Sequence, residues 1–393
     1  MQSLKAQKSF IFMVVMVITF MLSLWLLTRV WLLIFASILM AVFILSLVSG
    51  LRNLPVVGKW LQHIPHGVMV ALVLLLIFAV FTGFVTLFGQ ELLAQLEEMK
   101  TALPAAVERV EEYVAQTPYM NQISDWLEQN ERFNPLQDAI SKAMAFMPSL
   151  LSGVMGGLSN FMIIMLLGIF LAISPSIYVN SFIALIPPAK RDKGRYLFNQ
   201  TYKALRQWLL GQFVVMLFVG VCTSVALWWM DIPFALAMGF ISFLLDFIPV
   251  LGPWIAAIPI ILIAILFTPD MVLWVIVMMI IVQQLESYVI APLIQQKLVN
   301  LPPVALLISQ VVMGSLTGFL GIALATPLAV TFIVWVQVLY IKFTLGDYKV
   351  RILGQNIQDM LEDEYAKPSK VDKESVYQDD DSTQQSNDNT ATQ

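Results

Sequence analysis

Long apolar runs alternate with short polar breaks along this chain, and the run lengths set the elements. Charge-free windows at Phe10 to Leu27, Val30 to Gly50, Val68 to Phe88, Leu150 to Ile173 and Trp208 to Met230 each approach or exceed the roughly 18–20 residues that a membrane-crossing helix needs. The first window follows Lys5 and Lys8 as a secretion signal would, but no small-residue cleavage pattern follows and a second long run begins at Val30, so it reads as a retained helix. After Met230 the pattern changes. Ile232 to Leu245 is too short to cross alone, Phe247 to Phe267 and Met271 to Leu293 follow, and Leu301 to Ile341 is a charge-free stretch about twice the length of one crossing, so it holds a hairpin or two passes. These lengths predict an all-α integral membrane protein with about eight transmembrane helices, with re-entrant or broken helical hairpins in the second half.

Two polar stretches have helical periodicity. Leu92, Leu96, Met99, Leu103, Val107, Val110 and Val114 recur at threes and fours, with Glu97, Glu98, Glu108, Glu111 and Glu112 on the other face, which predicts an amphipathic helix. Pro104 and the short run favour a helix lying on the membrane or on its own chain over a coiled-coil contact between subunits. A second helix around Ile123 to Met147 would complete a helical pair. Between Ile186 and Gln207, Leu197, Phe198, Thr201, Leu205 and Trp208 share a face while six basic residues accompany Asp192 alone. That combination predicts an interfacial helix against anionic headgroups.

Composition agrees with the membrane class: 59% of residues are apolar and 12% charged. Charge then gives an orientation. Arg52 and Lys59 follow the second window, and Lys190, Arg191, Lys193, Arg195, Lys203 and Arg206 precede the fifth, so these loops and the amino terminus are expected on the cytoplasmic side. The segment Gln90 to Pro148, with ten acidic and four basic residues, then falls outside, and Lys342, Lys349 and Arg351 return the carboxyl terminus to the inside. The expected organisation is residues 1–89 as three transmembrane helices, 90–148 as an external amphipathic insert and 149–185 as a fourth transmembrane helix. Residues 186–207 form a cytoplasmic basic interfacial helix, 208–345 a transport core with broken helices, and 346–393 a disordered acidic cytoplasmic tail, since its composition buries too little apolar surface to order itself.

Enzyme chemistry finds little to work with. His63 and His66 are the only histidines and have no clustered carboxylate or cysteine beside them, so no metal site or bound cofactor is expected. Cys222 is the sole cysteine and lies in an apolar run. No Gly-rich phosphate loop is present, which argues against ATP-driven pumping by this chain alone. The polar breaks of the second half fit a membrane pathway better, because polar groups and helix-breaking prolines at membrane depth persist where they line a cavity or pack against protein. Asp246, Pro249, Gly252 and Pro253 mark one such break. Gln283, Gln284, Glu286 and Ser287 occupy roughly one side of the next span, and Pro292 and Asn300 follow. Glu286 suits cation binding, proton relay, or a structural lock with Lys297 or Arg206. Asp246 suits a pathway lining or a helix cap at the membrane surface.

At these residues the chain resembles the autoinducer-2 exporter family of bacterial membrane proteins. Leu205, Trp208, Leu209, Gly211 and Gln212 resemble its aromatic-Leu-x-Gly-Gln motif, and Ile248, Pro249, Gly252, Pro253 and Pro259 its Ile-Pro-x-x-Gly-Pro hairpin. Glu286 and Pro292, with Val299, Leu301, Pro302, Gly314, Gly318, Gly321, Ala325 and Pro327, follow its Glu-to-Pro spacing and Gly-rich closing segment. The specific likeness covers about Leu205 to Val330. The resemblance implies a homo-oligomeric secondary transporter of the bacterial cytoplasmic membrane, exporting autoinducer-2 or a related small molecule, or exchanging sodium or lithium for protons. Its partners would be membrane lipids and a small-molecule or ion substrate, with no nucleic acid. A non-transporting membrane scaffold or regulator is the alternative of another class. Leu251, Gly252, Ala256, Ala257 and Pro259 also echo Leu320, Gly321, Ala323, Ala325 and Pro327, a hint of two related hairpins.

Overall fold

The computed structural model describes residues 26–53, 63–116, 160–290 and 303–347, with a few isolated positions besides. Every regular element among them is helical. Five helices are long and apolar enough to cross a membrane, six if one bent pair counts as a span, and three shorter apolar helices accompany them. The predicted all-helical class and the short broken pieces are therefore present, and the count of spanning helices among the described residues is five or six. Most of the first window, the second outer helix around Ile123 to Met147, Pro292, Lys297, Asn300 and the carboxyl-terminal tail lie outside the described residues.

Helix α1 (Thr28–Arg52) is an apolar helix whose internal serines find their partners on the helix itself: Ser37 Oγ donates to the Leu33 carbonyl at 2.8 Å and Ser49 Oγ to the Leu45 carbonyl at 2.9 Å. Helix α2 (His66–Gln116) joins the third window to the acidic amphipathic segment in one continuous rod of 51 residues, about 75 Å long at 1.5 Å per residue. Pro104 does not end it. Leu92, Met99 and Leu103 are buried in one apolar cluster with Ile232, Phe234, Met238 and Ile260, so at least the near half of the amphipathic face packs on its own chain.

Helix α3 (Asn160–Ile173) and helix α4 (Pro175–Ala184) meet at 82°. The expected fourth span is thus bent, because Pro175 at the start of α4 has no amide hydrogen to continue α3. Helix α5 (Arg191–Trp229) is a single helix of 39 residues. The basic stretch expected as a separate interfacial helix is its first half, and its apolar stripe of Leu197, Ala204, Leu205 and Trp208 is buried against α1 and against the helix that begins at Phe319.

After Trp229 the chain turns sharply through Asp231 (φ 53°) and Phe234 (φ 62°) into α6 (Ala235–Leu245), which packs along α5. A short turn leads to α7 (Leu251–Phe267), which lies against α6 and α2. Helix α8 (Val272–Leu285) continues as a π-turn over Glu286–Ile290. The last pair is α9 (Pro303–Thr317) and α10 (Phe319–Trp335), joined at Gly318 (φ 68°). That positive φ suits glycine. A second π-turn at Val336–Lys342 closes α10.

The two pairs α6–α7 and α9–α10 are both tight helical hairpins. In each, a glycine at the start of the second helix lies against the backbone of the first: a Cβ on Gly252 would collide with the Leu245 carbonyl, and one on Gly321 with the Met313 carbonyl. A proline follows inside each second helix, Pro259 and Pro327. The echo seen in the sequence therefore has a common geometry behind it.

Candidate functional site

The site is the tip of the α6–α7 hairpin, and its shape follows from local sequence. Asp246 ends α6, and Pro249 cannot donate to a helical ladder, so the chain leaves the helix at Phe247. Val250 then takes φ 71° and ψ −55°, with the Leu251 amide donating to the Pro249 carbonyl at 2.9 Å. This is a γ-turn of the rare, strained form, here on a β-branched residue, which costs on the order of 1–3 kcal/mol. Gly252 allows the turn to close against Leu245.

A turn at this position exposes carbonyls that no helix satisfies. Two amides from other helices reach them. Gln212 Nε2 of α5 donates to the Asp246 carbonyl at 2.6 Å, and Gln310 Nε2 of α9 donates to the Pro249 carbonyl at 2.7 Å. Gln212 sits in α5 roughly 25 Å from the Trp229 end at 1.5 Å per residue, so the hairpin tip reaches well down the apolar part of that helix. Trp208 of α5 meets Phe247 edge to face, with ring centroids 5.8 Å apart, and Ile248 is buried.

Asp246 is 2% exposed, and one of its carboxylate oxygens, Oδ2, has no hydrogen-bond partner. Gln310 is 1% exposed, and its Oε1 likewise lacks a donor. The Glu286 carboxylate lies within electrostatic range of Asp246. Gln283 Nε2 donates to Glu286 Oε2 at 2.6 Å. Among the described residues neither carboxylate forms an ion pair with Arg206 or any other basic side chain. A buried acceptor without a donor is costly, so the cluster has room in its chemistry for a proton or a cation.

Of the residues singled out in the sequence, Asp246, Pro249, Gly252, Gln283 and Glu286 meet at or beside this tip. Pro253 is half-buried in the first turn of α7. Gln284 and Ser287 are exposed and, among the described residues, take no part in the cluster's hydrogen bonds. Gln284 follows Gln283 by one residue and so lies about 100° further around α8, and the π-turn that begins at Glu286 moves Ser287 off the α-helical phase. Gln310 carries part of the site without having stood out in the sequence. A single amide in an apolar helix gives only a weak signal, and its pairing with Pro249 spans 61 residues.

The model of the AI-2E family of transporters matches residues 11–341 of this chain. The chain is 23% identical to "Putative transport protein YueF" of Bacillus subtilis over 283 residues, which cover 70% of this chain and 76% of that protein. It is 27% identical to "Putative transport protein MT0215" of Mycobacterium tuberculosis over 318 residues, 78% of this chain and 84% of that protein. A shorter match, 31% over 143 residues, links it to "Putative transport protein YrrI" of Bacillus subtilis, covering 36% of this chain and 40% of that one.

Proposed function

The chain belongs to the AI-2E transporter family, and we propose that it works as a secondary transporter coupled to a monovalent cation or a proton at the α6–α7 tip. One observation carries this reading: a buried carboxylate oxygen of Asp246 has no donor, while a second carboxylate, Glu286, stands within electrostatic range. Two negative charges repel strongly where the dielectric is low, and a bound proton or cation relieves that repulsion. The strained turn at Val250 and the borrowed amides of Gln212 and Gln310 keep the tip in one arrangement, and releasing them would let it adopt another.

Exchange of sodium or lithium for protons is the form of transport that this cluster supports best. Its side chains are acidic or amide, the Gln212, Gln283 and Gln310 amide nitrogens each already donate within the protein, and a neutral polyhydroxyl cargo would need several donors as well as acceptors. Export of autoinducer-2, or of a related small molecule driven by the same cation, is supported by family membership. The scaffold reading predicts instead that the tip's polar residues are replaceable.

The test is flux through purified protein in liposomes with sodium, proton and autoinducer-2 gradients imposed one at a time. Cation-driven flux in the parent, falling at least tenfold in Asp246→Asn while the variant still inserts, is the expected result. Undiminished, still-coupled flux through Asp246→Asn would remove the carboxylate pair from the mechanism, and no flux under any gradient in the parent would favour the scaffold.

A further inference from the structure

A second site lies at the other, basic end of α5. There the last turn of α1, the bent helix α4 and the first half of α5 enclose a cavity of about 730 Å³ that opens to the surface. We propose that it holds the headgroup and upper acyl chain of an anionic phospholipid. Arg52 and Arg195 both line it, and no acidic residue does. Arg52 donates one guanidinium nitrogen to the Ile64 carbonyl at 3.0 Å, yet its Nε is buried without a partner. Asn199 and Tyr202 add polar groups on the same wall, and a planar guanidinium is well matched to a phosphate.

The rest of the lining explains why a lipid suits the cavity better than a free phosphate. Val48 of α1 and Val179 of α4 form an apolar wall against which a hydrocarbon chain can lie. The volume falls in the range of pockets that enclose a sizeable organic ligand. Helix α4, turned 82° from α3, presents Ile177, Tyr178 and Phe182 to its surroundings, the pattern of a helix lying in a membrane interface. Behind the cavity wall Lys342 Nζ approaches Tyr196 Oη at 2.6 Å, adding positive charge near the site. The α5 residues of the cavity wall, Arg195 to Tyr202, lie about 15–25 Å along the helix from Gln212, so this inference does not depend on the coupling site.

Native mass spectrometry of the full chain would test it, with phosphatidylglycerol and phosphatidylcholine of equal chain length and with inorganic phosphate as probes. Preferential retention of phosphatidylglycerol is expected. Retention should fall about tenfold in Arg52→Gln/Arg195→Gln, which removes the charge-assisted contacts. It should also fall in Val179→Trp, which fills the apolar wall and leaves both charges. Equal retention of the two lipids, or phosphatidylglycerol retention unchanged in Val179→Trp, would overturn the proposal. Displacement of phosphatidylglycerol by millimolar inorganic phosphate would overturn it too, by showing a site for the free anion. If the double variant does not insert, Val179→Trp and the lipid comparison decide alone.

Discussion

At the scale of single residues, the two carboxylates differ in what replacing them should do. Glu286→Gln keeps size and hydrogen bonding but removes a charge and a titratable proton, so liposome flux should lose its dependence on the cation gradient while the protein still inserts. Glu97→Gln is the control, because Glu97 is exposed and, among the described residues, pairs with its helical neighbour Lys100, an interaction of small worth in water; its flux should match the parent's. Coupled flux surviving in Glu286→Gln would remove Glu286 from the site. Val250→Gly tests the strain directly. Glycine accepts φ 71° readily, so thermal stability should rise or hold despite the usual cost of glycine, about 0.5–1 kcal/mol; a clear drop in melting temperature would mean that the turn is not strained. Asp246 and Glu286 were legible in the sequence because a charge inside an apolar run is conspicuous against its energetic cost. Gln212 and Gln310 were not legible as partners of the turn. Which carbonyls they serve depends on contacts across 34 and 61 residues of chain, and no local pattern encodes that.

At the scale of elements, the hairpins explain why small residues recur where they do. Gly252 touches the Leu245 carbonyl and the Asp246 backbone, so Gly252→Val must push α6 and α7 apart at the tip. The expected cost is about 1–3 kcal/mol, as for overpacking elsewhere, together with lost flux. Normal melting with normal flux would show that the tip is looser than described. Gln212→Leu should cost a similar amount by stranding the Asp246 carbonyl, and a double-mutant cycle with Gln310→Leu would measure how far the two amides act together. Apolar run length predicted the short α6, the break at Asp246 and a hairpin between Leu301 and Ile341. It could not predict where helices continue. The acidic residues from Glu91 to Glu112 and the basic residues from Arg191 to Arg206 differ in composition from their neighbours, yet each set belongs to one unbroken helix with the adjoining apolar run. Backbone hydrogen bonding is indifferent to side-chain polarity, so a helix persists across a boundary that hydropathy marks as a change of environment.

At the scale of the whole molecule, the arrangement of charge predicts which end faces the cytoplasm. Single cysteines in a Cys222→Ser background, placed at position 128 and at position 193, should react with impermeant reagents from opposite sides, position 193 from the cytoplasmic one. Labelling of position 128 from the cytoplasmic face would invert the topology. Truncation after Lys367 should leave insertion and flux nearly intact, since the composition beyond it offers little to dock; loss of inserted protein would show that this segment is structural. The length of α2 has a mechanical consequence. A stiff rod of about 75 Å turns small rotations into large displacements, so a tilt of about 5° pivoted near His66 would sweep the Gln116 end through roughly 6–7 Å. Because the middle of that rod is seated on α7 and the α5–α6 connection, any rocking of the hairpin would be amplified at its far end, and a pair of spin labels there would serve as the pointer of a gauge.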